Sequence, residues 1–220
     1  DEVQDYGAAQ LMCLARYFGK AHFMLLGDEN QAIREGTASF TEIREVFERA
    51  CGSIESCDLM TSYRSSPEIT ALFTSLLDDE KRVRVESVQP AGTDPVIIEC
   101  ADDIDYAAQL RAAVEEALED RCLAAIIAPD ARRMAKLEDM LGGLPIVIPA
   151  RKEAIPDHGV VLLDIALAKG LEFDQVIVPD VQQRSYPDET LARHRLYTAI
   201  SRATRKVTLI ANGKLTKLLG

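Results

Sequence analysis

The apolar residues of this chain fall into short continuous runs, and between the runs they recur with helical spacing. The runs are rich in aliphatic residues and predict buried strands. They occupy residues 22–26, 95–99, 123–127, 146–148, 160–163, 176–178 and 207–210. Helical spacing predicts helices over 40–49, 105–120, 130–141 and 189–203. Because continuous apolar strands that alternate with helices are typical of a parallel sheet covered on both faces, we predict an α/β fold.

A boundary within this pattern is predicted near residues 63–67. Pro67 disfavours helix at the residue before it, and serines at 65 and 66 can cap a helix over 69–77. Residues 78–94 are charged and then carry Pro and Gly, which is typical of a surface connection or an edge hairpin. With 220 residues, the chain has room for one large domain or two smaller ones.

Composition narrows the class of protein. The sequence has no apolar run long enough to span a membrane and no basic and apolar leader, so we expect a soluble, cytoplasmic protein without a membrane partner. The five cysteines are scattered, without a Cys-x-x-Cys pair or a histidine cluster, so neither zinc nor a disulfide framework is indicated. Reduced and mostly buried thiols are expected instead.

The charge is distributed unevenly along the chain. A net charge of −11 argues against nucleic-acid binding, which depends on neutralising phosphates with Lys and Arg. Residues 193–220, however, hold seven basic residues and no acidic one. This basic end fits a nucleic-acid contact and fits equally well a solvated basic face.

Two short motifs in the first part of the chain carry candidate chemistry. Asp1 and Glu2 are adjacent acids that can hold Mg²⁺ and polarise a water molecule, although such pairs are also common on protein surfaces. The segment 27–31, Gly-Asp-Glu-Asn-Gln, follows an apolar run. An amide there can donate to a γ-phosphate, or the segment can be an ordinary turn capped by Asp28.

Two further motifs lie in the last third. In the segment 169–174, Lys-Gly-Leu-Glu-Phe-Asp, the glycine allows close backbone approach to a ligand and a carboxylate can accept from a ribose hydroxyl. An ordinary glycine loop would have the same composition. Residues 195–203 predict a helix with Arg202 off its apolar face, where the guanidinium can bind a phosphate or interact with the helix dipole.

No phosphate loop accompanies these motifs. A Gly-x-x-x-x-Gly-Lys-Ser/Thr segment holds the phosphates in such enzymes, and the Gly-Lys pairs at 19–20 and 213–214 lack its second glycine and its hydroxyl. We therefore expect the chain to be the C-terminal part of a longer protein, and expect it to hydrolyse no ATP by itself.

The order of the motifs resembles that of superfamily 1 helicases of the UvrD/Rep type. The matching segments are 1–5, 27–31, 63–65, 169–173 and 201–203, and together they span nearly the whole chain. The Lys-Gly-Leu-Glu-Phe run is the most specific of them. The resemblance implies RecA-like lobes of the P-loop NTPase type, with ATP between two lobes and single-stranded DNA as the partner.

Within this resemblance, the first two motifs supply residues for hydrolysis. Asp1 matches the acid that holds Mg²⁺, and Glu2 matches the acid that activates water. Gln31 matches the contact to the γ-phosphate. The implied cofactors are therefore ATP and Mg²⁺.

The later motifs match residues that contact the nucleotide from the other side. Arg64 and Arg202 match two arginines that reach the phosphates and stabilise charge in the transition state. Gly170 and Glu172 match the loop that meets ATP, with Glu172 at the ribose.

The chain departs from these helicases where they contact nucleic acid. They carry base-stacking aromatic residues after the second motif, where this chain has Arg-Glu-Gly at 34–36, so Phe40 is the nearby substitute. Lys169 is the second candidate contact to nucleic acid. Asp164 and Ala166 lie at about the places of a Thr and a His that touch the backbone, and an aspartate there would repel phosphate. These departures weaken the prediction of efficient DNA unwinding.

The spacing of the motifs predicts the domains. Residues 1–65 are expected to be the C-terminal remnant of the first RecA-like lobe (1A), and 66–220 the complete second lobe (2A). The stretch between Arg64 and Lys169 is too short for the 2B domain that large members insert there, which brings the chain closer to the helicase IV and HelD-like branch. A truncated first lobe would expose strand edges, through which the fragment could self-associate.

Two other functions remain open. A helicase-like module that binds RNA polymerase or a repair protein, without hydrolysing ATP, would explain the missing aromatics and the net acidity. The retained Glu2, Gln31, Arg64 and Arg202 favour a motor instead. A magnesium-dependent phosphotransfer domain of the receiver type is suggested by Asp28, but it leaves the run at 169–173 unexplained.

Overall fold

The chain forms two compact units in a computed structural model, which describes residues 1–59, 61–77 and 85–220. The first unit is Asp1–Leu59 and the second comprises residues 60–220. The division lies a few residues before the boundary predicted at 65. No helix in the described part of the chain is both long and apolar enough to cross a membrane.

The first unit is built around two helices. Helix α1 spans Ala8–Tyr17 and helix α2 spans Phe40–Cys51, close to the helix predicted over 40–49. Ser39 and Glu42 form a capping box at the start of α2, because each side chain bonds to the backbone N–H of the other residue. The small core of this unit consists of Val3, Leu11, Ala15, Ala38, Ile43 and Phe47.

The prediction of a strand over residues 22–26 is wrong. These residues have no strand structure, and Met24 is 81% exposed. A strand needs the backbone groups of a neighbouring strand, and here the backbone N–H of Val3 donates to the carbonyl of Leu26 at 3.0 Å outside any ladder. The apolar run therefore lies outside the sheet, with Phe23 packed edge-on against Phe47.

The second unit is built on a six-stranded sheet. Its strands are β3 (Val96–Cys100), β4 (Leu123–Ala128), β5 (Ile146–Val147), β6 (Gly159–Asp164), β7 (Phe173–Pro179) and β8 (Ala203–Asn212). They lie in the order β3-β8-β7-β4-β6-β5, and all the pairings between them are parallel. Two short strands, β1 (Thr61–Ser62) and β2 (Glu86–Ser87), form a separate parallel pair. The predicted parallel sheet and its six apolar runs are confirmed.

Helices cover both faces of this sheet. They are α3 (Pro67–Ser75), α4 (Asp103–Glu119), α5 (Ala131–Met140), α6 (Ile165–Ala168) and α7 (Thr190–Ile200). Helices α4 and α5 pack on one face, where the core includes Leu110, Val114, Ile126, Leu137 and Leu162. Helix α7 contacts both α3 and α6, all three contact the sheet, and the alternate strand residues there are also fully buried. Burial on both faces explains why these strands read as continuous apolar runs.

Several local predictions need correction. Helix α7 ends at Ile200 instead of 203, so Arg202 lies in the turn before β8. Ser66 occupies the N-cap of α3, but its side chain makes no capping bond.

Thiols at 13, 51 and 57 are exposed, so the expectation of mostly buried cysteines is wrong, although all five are free. Of the predicted connection 78–94, residues 78–84 lie outside the described part and 86–87 form β2.

A buried ion pair lies at the carboxyl end of β7. The Arg133 Nε donates to Asp180 Oδ2 at 2.8 Å, and Asp180 is almost fully buried with a positive φ of 61°. Burial raises the pKa of the Tyr186 hydroxyl well above its usual range, and the Asp180 charge adds to this effect. This end of the sheet is thus a tightly packed polar cluster.

Candidate functional site

The acidic motif of the first unit lies on a strained turn. Asp1 and Glu2 precede a 3-10 turn over Val3–Asp5, and Glu2 has a φ of 56° in the left-handed region. The Glu2 backbone N–H donates to Asp1 Oδ1 at 2.9 Å. Asp1 is exposed and Glu2 is half-buried, so both carboxylates reach the surface of this unit.

Gln31 lies on a second 3-10 turn in the same unit, Glu29–Gln31. Asp28 caps this turn by accepting from the Asn30 backbone N–H at 3.0 Å. The Gln31 Nε2 donates to Asp28 Oδ2 at 3.1 Å, so the capping carboxylate also orients the predicted phosphate contact. The capped turn and the phosphate contact were alternatives in the sequence; the turn is present, and the phosphate contact stays a prediction.

Gln4 connects these two motifs, and sequence reasoning gave it no role. Its side chain is buried, donates to Glu2 Oε2 and accepts from the Asp28 backbone N–H at 3.2 Å. The one signal in the sequence is the position of an uncharged amide between three acids, at 1, 2 and 5.

Three of the predicted motifs meet in the second unit, at the amino-terminal ends of β7 and β8. The Ser65 Oγ donates to the carbonyl of Ala203 at 2.7 Å, and the Ser66 N–H donates to the carbonyl of Thr204 at 3.2 Å. The Phe173 N–H donates to the carbonyl of Arg202 at 2.9 Å. The segments that contain 63–65, 169–173 and 201–203 are therefore tied together by hydrogen bonds to the backbone.

At this junction, two residues with separately predicted roles contact each other. The Arg64 Nε lies 2.6 Å from Glu172 Oε1, and the side chains are 42% and 51% exposed. An exposed ion pair of this kind contributes about 0–1 kcal/mol, so a ligand phosphate can replace the carboxylate at small cost. The predicted phosphate-binding arginine and the predicted ribose acceptor thus belong to one surface.

Arg202 is buried beneath this surface, instead of lying exposed at a helix end. It is 2% exposed, and its guanidinium donates to Thr198 O at 3.2 Å, Ser201 Oγ at 3.2 Å and Leu171 O at 3.4 Å. A buried charge is tolerated only when hydrogen bonds replace its hydration. Arg202 therefore fastens α7 to the loop that contains Gly170 and Glu172.

That loop is shaped by a glycine and a lysine. Gly170 has a φ of 77°, a conformation that favours glycine. The Lys152 ammonium donates to the carbonyl of Lys169, and it lies 3.3 Å from the place where a Cβ at Gly170 would be. Lys169 itself is buried. Lys152 was missed because the stretch around it carries no periodic signal.

Phe40 belongs to the first unit and Asp164 to the second. Phe40 is the first residue of α2 and is 39% exposed. Asp164 is the N-cap of α6, where its carboxylate accepts from the Leu167 N–H at 2.8 Å. This hydrogen bond gives Asp164 a function within the fold.

The donor set for a metal ion is small. In the described ranges, no group of three or more His, Cys, Asp or Glu residues could hold a metal. Mg²⁺ in nucleotide sites commonly takes one or two carboxylates, with phosphates and water as the other ligands. The exposed Asp1 carboxylate fits that smaller requirement.

The comparisons with known proteins bear on the last part of the chain in particular. Residues 159–210 match the family described as the UvrD-like helicase C-terminal domain. This range includes β6, the loop with Gly170 and Glu172, α7, Arg202 and most of β8. No match was found among curated proteins.

Among solved structures, the chain is similar to the C-terminal domain of a possible DNA helicase from Lactobacillus plantarum WCFS1. The two are 28% identical with a TM-score of 0.62, over 72% of this chain and 92% of that one. A protein titled XPD helicase (14% identical, TM-score 0.40) covers 54% of the chain. The arterivirus nonstructural protein 10 helicase, in a complex with DNA, covers 53% (13% identical, TM-score 0.36). The chain spans only 31% and 28% of these last two proteins, and likenesses this weak carry no argument.

Proposed function

We propose that the chain is the C-terminal portion of an ATP-dependent superfamily 1 DNA helicase or translocase, since residues 159–210 match the UvrD-like helicase C-terminal domain family. The observation that carries the proposal is the junction at the amino ends of β7 and β8. There the segments with Arg64, Glu172 and Arg202 are held together by hydrogen bonds.

In this proposal, the junction serves the nucleotide. Arg64 leaves Glu172 and binds the phosphates of ATP, while Glu172 accepts from the ribose hydroxyls. Gly170 lets the backbone of the loop approach the ligand. Arg202 supplies positive charge next to the phosphates, and its present hydrogen bonds to Thr198 and Leu171 keep the loop in place.

The first unit supplies the residues for hydrolysis. Asp1 holds Mg²⁺, which supplies positive charge to the phosphates when bound. Glu2 accepts the proton of the attacking water, and Gln31 donates to the γ-phosphate. Single-stranded DNA is the proposed partner, with Phe40 as its contact, whereas the burial of Lys169 argues against the second predicted contact. The carboxylate of Asp164 is already engaged at the N-cap of α6, which lessens its conflict with a DNA backbone.

The test is phosphate release by the full-length parent protein, with and without single-stranded DNA. We expect DNA to stimulate release, and expect Glu2→Gln to lower kcat by about 100-fold or more because the general base is lost. ATP binding, measured with a fluorescent analogue, should change little. Glu35→Gln removes an exposed acid of the same unit and should behave as wild type.

The 220-residue chain alone serves as the second arm of this test. It should release no phosphate above background, because its sequence has no phosphate loop. Release by the parent that persists at the wild-type rate in Glu2→Gln would contradict the proposal.

A further inference from the structure

The buried side-chain amide of Gln4 bonds to both candidate motifs of the first unit, residues 1–5 and 27–31. Gln4 is 1% exposed, and its Nε2 donates to the Glu2 carboxylate while its Oε1 accepts from the Asp28 N–H. Asp28 in turn accepts from the Gln31 amide at 3.1 Å. A continuous hydrogen-bonded path therefore runs from Glu2 through Gln4 and Asp28 to Gln31.

The neighbouring backbone is fitted closely to this amide. A Cβ at Gly27 would lie 2.3 Å from Gln4 Oε1 and 2.9 Å from Val3 Cγ1. Contacts this short force a shift of the atoms involved. A residue without a side chain at 27 is thus required for Gln4 to reach the Asp28 N–H.

The two bonds of Gln4 demand an amide. The Glu2 carboxylate needs a donor, and the Asp28 N–H needs an acceptor. A glutamate at position 4 would keep the acceptor but place a second carboxylate against Glu2, and a methionine would supply neither strong group. The left-handed backbone of Glu2 adds to the need for a fixed partner, since this conformation is unfavourable for a residue with a side chain.

We propose that Gln4 is a positioning residue, which fixes the Glu2 carboxylate relative to the turn that carries Gln31. The inference rests on the proposed function of Glu2 and Gln31 in ATP hydrolysis. Gln4 has no contact with the nucleotide in this scheme. It keeps the general base, Glu2, at a fixed position relative to the γ-phosphate contact, Gln31. A displacement of about 1 Å in such a geometry can lower the reaction rate by about 100-fold.

Two substitutions at position 4 separate its two hydrogen bonds. Gln4→Met removes both, and Gln4→Glu keeps the acceptor for Asp28 but repels Glu2. In the 220-residue chain, we expect amide exchange at Asp28 to rise about fivefold in Gln4→Met, as for the loss of one hydrogen bond, and to stay near wild type in Gln4→Glu.

In the full-length protein, both substitutions should lower kcat for ATP by about 10-fold to 100-fold, with KM changed less than about twofold. The matched control is Gln10→Met in the same unit. It removes a glutamine whose Oε1 accepts from the Gly7 N–H at 2.8 Å, away from the acids, and should leave kcat and the exchange of Asp28 unchanged.

A wild-type kcat in Gln4→Met would overturn the inference, because Glu2 would then need no hydrogen bond from position 4. Unchanged exchange at Asp28 in Gln4→Met would overturn it as well. Failure of the proposed function is seen separately, as absent ATP turnover in the unsubstituted full-length protein.

Discussion

The two arginines assigned to phosphate chemistry have very different surroundings. Arg64 is about half exposed and pairs with Glu172, whereas Arg202 is 2% exposed and its bonds within the fold include those to Thr198, Ser201 and Leu171. Loss of Arg202 should therefore disturb the protein before any ligand is considered. Arg64 is the residue at which a change in activity reports directly on ligand binding.

This contrast gives a prediction for stability. Arg202→Lys should lower the free energy of unfolding by about 2 kcal/mol, because an ammonium cannot reproduce the bonds of the buried guanidinium. The matched change Arg64→Lys should cost less than about 1 kcal/mol, since the pair with Glu172 is exposed. Urea unfolding followed by circular dichroism measures both, and equal losses for the two variants would disprove the distinction.

For single residues, the sequence was a better guide to the residue types of the site than to their ion-pair and hydrogen-bond partners. Arg64 and Glu172 were each given a role, but their contact depends on how the segments around 64 and 172 meet in the fold. Gln4 was missed because its hydrogen bond to Asp28 joins residues that are far apart in the sequence. Only the folded structure brings the turn at Asp28 next to Gln4. The site assignments as such remain predictions.

Among the elements, the strands of the parallel sheet were predictable and the first unit was not. Residues in β4 and β6 are buried on both faces, so their continuous apolar runs signal strands directly. The run at 22–26 looks the same in sequence, yet it forms no ladder. A strand depends on its neighbour as well as on its own residues, and single-segment patterns contain no information on the neighbour.

The connection after β7 gives a prediction for alkaline pH. Tyr186 is fully buried, and its raised pKa means that the folded state keeps the proton where the unfolded state, with a pKa of about 10, releases it. Its contribution to stability is therefore complete below pH 10 and is lost as the pH rises further. The free energy of unfolding should fall by about 1.4 kcal/mol per pH unit from this residue.

Tyr186→Phe removes the titrating group and should reduce this slope, measured by urea unfolding at pH 9 to 11. Its hydroxyl has no hydrogen-bond partner among the described residues, so the variant should fold normally at neutral pH. Tyr63→Phe, at a largely exposed tyrosine, is the control. If the free energy of unfolding falls equally steeply with pH in Tyr186→Phe and in the wild type, groups other than Tyr186 cause the loss of stability and the prediction is wrong.

For the whole molecule, the order of motifs was more informative than any one of them. Each short motif had an ordinary structural explanation, and Asp28 and Asp164 do serve as caps. Their fixed order pointed to UvrD-like helicases, and residues 159–210 match the C-terminal domain of that family. The assignment to a HelD-like branch and the division into lobes 1A and 2A remain predictions.

We propose that the chain belongs to an ATP-driven motor on single-stranded DNA, rather than to a helicase-like binding module. The most direct measurement is displacement of streptavidin from a biotinylated single-stranded oligonucleotide by the full-length protein. We predict displacement that requires hydrolysable ATP and is abolished in Glu2→Gln. Binding of the oligonucleotide without ATP-dependent displacement by the wild-type protein would contradict the claim.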